Sequence, residues 1–129
     1  MPWWGYAYVA GYLAFAAWWV RDDIKEQRSI WFLLAEVVSD ILLVLVALAY
    51  WHATLRSVIH PFRLPLFCAG VAWLVVEVPS EFRKHLPDPE LSTQGNILVA
   101  ICGLLLATLI LGPLLYWGFS YAVLGKTVP

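Results

Sequence analysis

Apolar residues in this chain come in long runs, not in the two-residue alternation of a strand or the narrow stripe of a soluble helix. Four runs stand out: residues 3–20, closed by Arg21-Asp22-Asp23, then 30–52, 62–79 and 96–124. A hydrocarbon core of about 30 Å is crossed by about 20 apolar residues in a helix. The pattern therefore predicts an all-α, polytopic membrane protein, with residues 1–129 forming one four-helix transmembrane bundle. The third span is expected to be short, because its uninterrupted part, 66–78, reaches only about 20 Å at 1.5 Å per residue. If it merely re-enters, the C-terminus moves to the other side. The fourth is long, about 43 Å by the same arithmetic, and Gly112-Pro113 in its middle predicts a kink, since proline removes a helical hydrogen bond. Residues 79–90 carry Pro87 and Pro89 and read as a stiff polar loop, with Ser92 or Thr93 as N-cap of the last helix.

Composition strengthens this reading. Hydrophobic residues make up 62% of the 129 and charged residues 13%, with a mean hydropathy of +0.76. A soluble domain has about a quarter of its residues charged, and a chain this small has too little interior to hide so much apolar surface. The first run is preceded by no lysine or arginine, so it reads as a retained helix and not as a signal peptide. Arg21, Lys25, Arg28, Arg83 and Lys84 fall on one side of a four-span arrangement, against Arg56, Arg63 and Lys126 on the other. The excess of basic residues marks the cytoplasmic side, which puts both termini outside the cytoplasm of a multi-pass protein, expected in a bacterial inner membrane. Tryptophans and tyrosines near the span ends fit the two interfacial belts.

Helical faces single out candidate residues. At about 100° per residue, Trp4, Tyr8, Tyr12, Phe15 and Trp19 form an aromatic ridge on the first helix. Ala7, Ala10, Ala14 and Ala17 lie about 140° away. Small residues at this spacing let helices approach closely, so the alanines are expected to be the packing seam and the ridge to face lipid or a partner protein. Gly103 and Ala107 offer a second seam on the fourth helix. On the second helix Glu36, Ser39 and Asp40 share a face with Leu43, Ala47 and Tyr50, opposite an aliphatic face that suits lipid. A carboxyl at such depth costs a few kcal/mol on insertion scales and so faces protein, water or an ion. Glu77 is expected near Glu36, with Arg21, Arg28 and Arg83 close enough to reach the acids, and with Asp40 bonded to Ser39, Thr108 or a tyrosine.

Much chemistry is excluded. A net charge of −1 gives no basic face for nucleic acid. His52, His60 and His85 do not converge as haem or metal ligands would. Cys68 and Cys102 sit at different depths, too far apart for a disulfide. No nucleophile motif, phosphate loop or HExxH is present, so neither enzyme activity nor a cofactor is expected. The segment Leu34-Ala-Glu-Val-Val38 resembles the acidic first helix of small multidrug resistance transporters, which implies ion coupling. The likeness spans five residues, and here the acid lies in the second helix. Three functions remain. The first expectation is a non-catalytic subunit that binds other membrane protein subunits as an accessory, assembly or inhibitory component. The second is a small proton- or cation-coupled transporter or channel working through Glu36 and Asp40, necessarily a homo-oligomer. The third is a lipid- or quinone-binding helper, with Trp18, Trp19, Trp31 and Arg28 near the headgroups.

Overall fold

A computed structural model describes residues 1–129, apart from the side chain of His85. The chain is all-helical: α1 (Trp3–Lys25), α2 (Ile30–Trp51), α3 (Ala53–Ile59), a 3-10 turn (His60–Phe62), α4 (Arg63–His85) and α5 (Thr93–Ala122). Three helical stretches are long and apolar enough to cross a membrane, Ile30–Trp51, Ala53–Lys84 and Thr93–Ala122. Such helices are compatible with a membrane protein.

The expected short third span is instead part of a helical run of 32 residues, because its prolines fall where a helix tolerates them. Pro61 opens the 3-10 turn and Pro65 lies in the first turn of α4, where backbone N–H groups have no intrahelical acceptor. Pro79 lies inside α4 and removes one hydrogen bond, yet the helix continues to His85. Half of the expected loop 79–90 is therefore helix. His85 itself, counted above among the unpaired histidines, has its side chain outside the described residues. The remaining turn is closed by Asn96, whose Oδ1 accepts from Asp88 N at 2.8 Å, and Ser92 Oγ caps α5 by accepting from Gly95 N at 3.1 Å. Helix α5 passes through Pro113 unbroken.

Helix α2 is the axis of the bundle and touches α1, α3, α4 and α5. Between Leu43 and Ala49 it is enclosed on nearly all sides, and Val46, Ala47 and Ala49 have no exposed surface. Gly70 of α4 makes room for this contact: a Cβ there would fall 2.7 Å from Leu43 Cγ. Gly118 of α5 does the same for Phe67, whose Cε2 would lie 2.9 Å from an added Cβ.

The two ends of the bundle differ. At the end that carries Arg56, Trp4, Tyr8, Trp51 and Trp117 form a ring cluster; Trp51 and Trp117 meet edge to face at 5.7 Å, and Tyr8 and Trp117 at 5.5 Å. Arg56 Nε donates to the Ala49 carbonyl, and its Nη2 to those of Tyr50 and Val128, at 3.1–3.2 Å. It thereby satisfies carbonyls left open at the end of α2 and ties down the C-terminal tail. At the other end much of the first half of α5 is uncovered: Leu98, Leu104 and Leu105 are exposed.

These contacts predict opposite outcomes for two glycines. Gly70→Ala overpacks the α2–α4 contact and should lower unfolding free energy by about 1–3 kcal/mol. Gly11→Ala meets nothing within 4 Å and should raise it by about 0.5–1 kcal/mol through helix propensity. Denaturant titration in mild detergent, read by circular dichroism, checks both.

Candidate functional site

The end opposite Arg56 holds an open cavity of about 310 Å³, with walls from α1, α2, α4 and α5. Four carboxyls line it, Glu36 and Asp40 from α2 and Glu77 and Glu81 from α4. Both pairs follow the spacing of one helical turn, so each presents two acids on one face. Tyr12, Phe15 and Trp19 come from α1 and Phe82 from α4, while the α5 wall is apolar.

Glu36 is only 2% exposed, and its Oε2 is buried without a hydrogen-bond partner. Its carboxyl lies against that of Glu77, with Asp23 of α1 as the next neighbour. Asp40 has found a partner: the Tyr12 hydroxyl donates to Asp40 Oδ1 at 2.6 Å. Ser39 is turned away from the acids and donates to the Gly70 carbonyl at 3.1 Å. Thr108 bonds its own helix at Leu104. Of the three partners foreseen for Asp40, the tyrosine is the one that serves.

The arginines do not reach Glu36 or Glu77. Gln27 takes a left-handed conformation, φ 57°, just after α1, which turns the chain back and sets Arg28 over the end of that helix. Arg28 Nε stands 3.2 Å from Asp23 Oδ1, and its Nη2 stands 2.5 Å from Glu81 Oε1. Lys84 closes the same cluster on Glu26. Arg28 also lies over the Phe32 ring at 4.6 Å, so its charge is spent inside the bundle and not on headgroups. Among the described residues no ion pair involves Glu36, Asp40 or Glu77, and no group of three or more His, Cys, Asp or Glu side chains is placed to hold a metal ion.

Helix α1 reverses the expected orientation. The alanine seam, Ala7, Ala10, Ala14 and Ala17, is exposed. The ridge turns inward: Tyr12 is buried, Tyr8, Phe15 and Trp19 are half-buried, and Trp4 reaches the ring cluster with its outer edge exposed. Two tyrosine hydroxyls in an apolar setting need acceptors. Tyr12 uses Asp40, and Tyr8 donates to the Ile110 carbonyl. Alanines offer neither large rings nor hydrogen bonds, so the aromatic face gains more from the contact. The second seam lies on the cavity wall, where the Phe82 ring rests on Gly103, with an added Cβ 3.1 Å from it, and Ala107 lies one turn on.

Sequence reasoning missed Glu81, Arg28 as its partner, Phe82 and the inward role of Tyr12. Two signals were available: the Glu77–Glu81 spacing repeats that of Glu36–Asp40, and the ridge contains tyrosines where phenylalanine would suffice for lipid. Comparison with protein-family models, with curated proteins and with solved structures finds no match to this chain.

The Arg28 side chain is 15% exposed, against 63% for Lys25. Arg28→Gln removes the buried cation that Asp23 and Glu81 share and should destabilise the protein by about 3 kcal/mol. Lys25→Gln, which breaks only a solvated 4.0 Å pair, should stay within about 0.5 kcal/mol. The same denaturant titration separates the two.

Proposed function

We propose that this chain is a four-span, multi-pass membrane protein that couples to protons or small cations through Glu36, Glu77 and Asp40, acting as a small oligomeric transporter or channel. The observation that carries the reading is Glu36 itself: buried, with an unpartnered oxygen, against a second carboxyl, on the wall of a cavity. Two negative charges about 4 Å apart repel by about 4 kcal/mol even at an effective dielectric of about 20. A proton or a cation between them removes that repulsion.

Helix α1 serves as the fourth span in this reading. It is apolar from Trp3 to Val20 and runs at the depth of Asp40, which its Tyr12 contacts. The basic residues of the Arg28 end then mark the cytoplasmic side, with both termini opposite, in a membrane such as a bacterial inner membrane. A chain with one small cavity needs further copies to complete a path, and the bare half of α5 offers apolar surface for them.

In proteoliposomes holding a pH-sensitive dye, an imposed potential should drive proton or cation movement through the wild-type protein. Glu36→Gln and Asp40→Asn should each abolish it while leaving the chromatographic profile unchanged. Movement that persists in both variants sinks the reading.

A second reading, a non-catalytic partner-binding subunit, is favoured by one observation: the stripe Ala7, Ala10, Ala14 and Ala17 faces outward, with nothing within 4 Å of Gly11. An outward small-residue face suits close approach of another membrane helix. Pull-down from native membranes in mild detergent should then recover a different polypeptide, and Ala10→Leu with Ala14→Leu should release it. Recovery of the chain alone counts against this reading.

A further inference from the structure

We propose that the Arg56 end of the bundle binds the phosphate of an anionic phospholipid through Arg63, Lys126 and His60. The site lies away from the carboxyl cavity and goes beyond the transport reading, sharing with it only the need for a membrane. Charge along the chain is the first observation. All nine Asp and Glu residues fall within 22–40 and 77–90, so no acidic side chain belongs to the Arg56 end. Arg56 itself is spent on the Ala49, Tyr50 and Val128 carbonyls. The side chains of Arg63 and Lys126 have no ion pair and no hydrogen bond among the described residues.

The fold gathers these groups around one ring. Tyr121 is fully buried, and its hydroxyl donates to the Arg56 carbonyl at 3.4 Å. The Arg63 guanidinium lies over that ring at 5.8 Å, and the His60 ring packs against it at 6.5 Å. Neither contact is a hydrogen bond, so Arg63 keeps open its planar fork of N–H donors, which matches a phosphate. After α5 the chain turns at Gly125, φ 65°, and passes against Arg63, where an added Cβ would stand 3.5 Å from Nη1. Lys126 N then donates to the Ser120 carbonyl at 2.8 Å, and Val128 N to that of Tyr50 at 3.1 Å. The backbone of Lys126 is thereby fixed next to the Arg63 head group, and the residue is exposed.

Depth selects a lipid as the source of the phosphate. Arg63 and Arg83 are separated by about 30 Å of helix at 1.5 Å per residue, the thickness of a hydrocarbon core. With α4 across a membrane, Arg63 stands at the hydrocarbon boundary, within reach of phospholipid phosphates. Its chain neighbours Phe62 and Leu64, and Leu124 beside Gly125, are exposed and offer apolar surface to the acyl chains. A soluble phosphate would leave that surface uncovered, and a zwitterionic headgroup would add a cation to a site already rich in them. At the opposite end Lys25, Arg28 and Lys84 are held in ion pairs among acids, which repel an anionic headgroup.

Native mass spectrometry of the whole protein in mild detergent tests this, with dioleoylphosphatidylglycerol as the probe and dioleoylphosphatidylcholine as the control. The anionic lipid should bind at least about fivefold more tightly, the factor that one basic residue at a membrane surface contributes. Lys126→Gln, on an exposed residue outside the packed helices, should lower that preference. Adding Arg63→Gln should bring the two lipids to within about twofold, while Arg21→Gln at the other end should change nothing. Equal affinity for the two lipids in the wild-type protein overturns the proposal, and so does a preference that both Lys126→Gln and the double variant retain. Displacement of the lipid by millimolar inorganic phosphate makes a soluble phosphate the ligand and overturns the lipid assignment. Preferential lipid binding without flux in proteoliposomes upholds this site and removes the transport reading. Flux with equal binding of both lipids upholds transport and overturns the site.

Discussion

Taking the carboxyls of α2 out of water is the constraint around which this bundle is arranged. An ionised group in apolar surroundings loses several kcal/mol of hydration that only a well-placed partner returns. Asp40 meets the constraint with the Tyr12 hydroxyl at 2.6 Å. Glu36 meets it only in part, since its Oε2 has no partner and its nearest neighbour is another acid. That difference separates a hydrogen-bonded acid from one with an unpartnered oxygen. The sharper residue is Glu36, although Asp40 lies deeper along the helix.

The orientation of α1 follows from the same constraint. Turning its alanines inward would bring the backbones closer but take two tyrosine hydroxyls away from their acceptors. Turning its rings inward satisfies the hydroxyls on Asp40 and the Ile110 carbonyl and builds the Trp51–Trp117 cluster. Large rings also hold helices apart. Tyr12, Phe15 and Trp19 line the gap left between α1 and the α4–α5 pair, which is the cavity. One end of the molecule is thus locked by rings and by Arg56 on open carbonyls. The other end is held by a few ion pairs around Arg28 and leaves α5 half unpacked.

The helices were legible because apolar run length is a local property: α2 and α5 begin and end within a few residues of the boundaries read from their patterns. The inward face of α2 was legible too. Glu36, Ser39 and Leu43 are buried, while Val38 and Ile41 on the opposite side are exposed, because an acid has only one tolerable direction in an apolar bundle. Helix α4 was read too short, since the polar stretch 79–90 with Pro87 and Pro89 read as a loop, whereas Pro79 is an interior residue of the helix. That error hid Glu81 and, with it, the repeat on α4 of the Glu36–Asp40 spacing.

The sequence by itself therefore determined the helical class, the positions of the long apolar helices and the side of α2 on which the acids lie, all consequences of hydropathy and helical period. Only the tertiary structure decided which face of α1 packs inward, which acids Arg28 neutralises and which carboxyl is left without a partner. Those outcomes turn on competition among contacts far apart in the chain, Tyr12 with Asp40, Arg28 with Glu81, Glu36 with Glu77. Each could be settled only when all the helices were in place. The acidic pair four residues apart on α2 marked where to look, and its surroundings gave one acid a hydrogen-bond donor and left the other with an unpartnered oxygen.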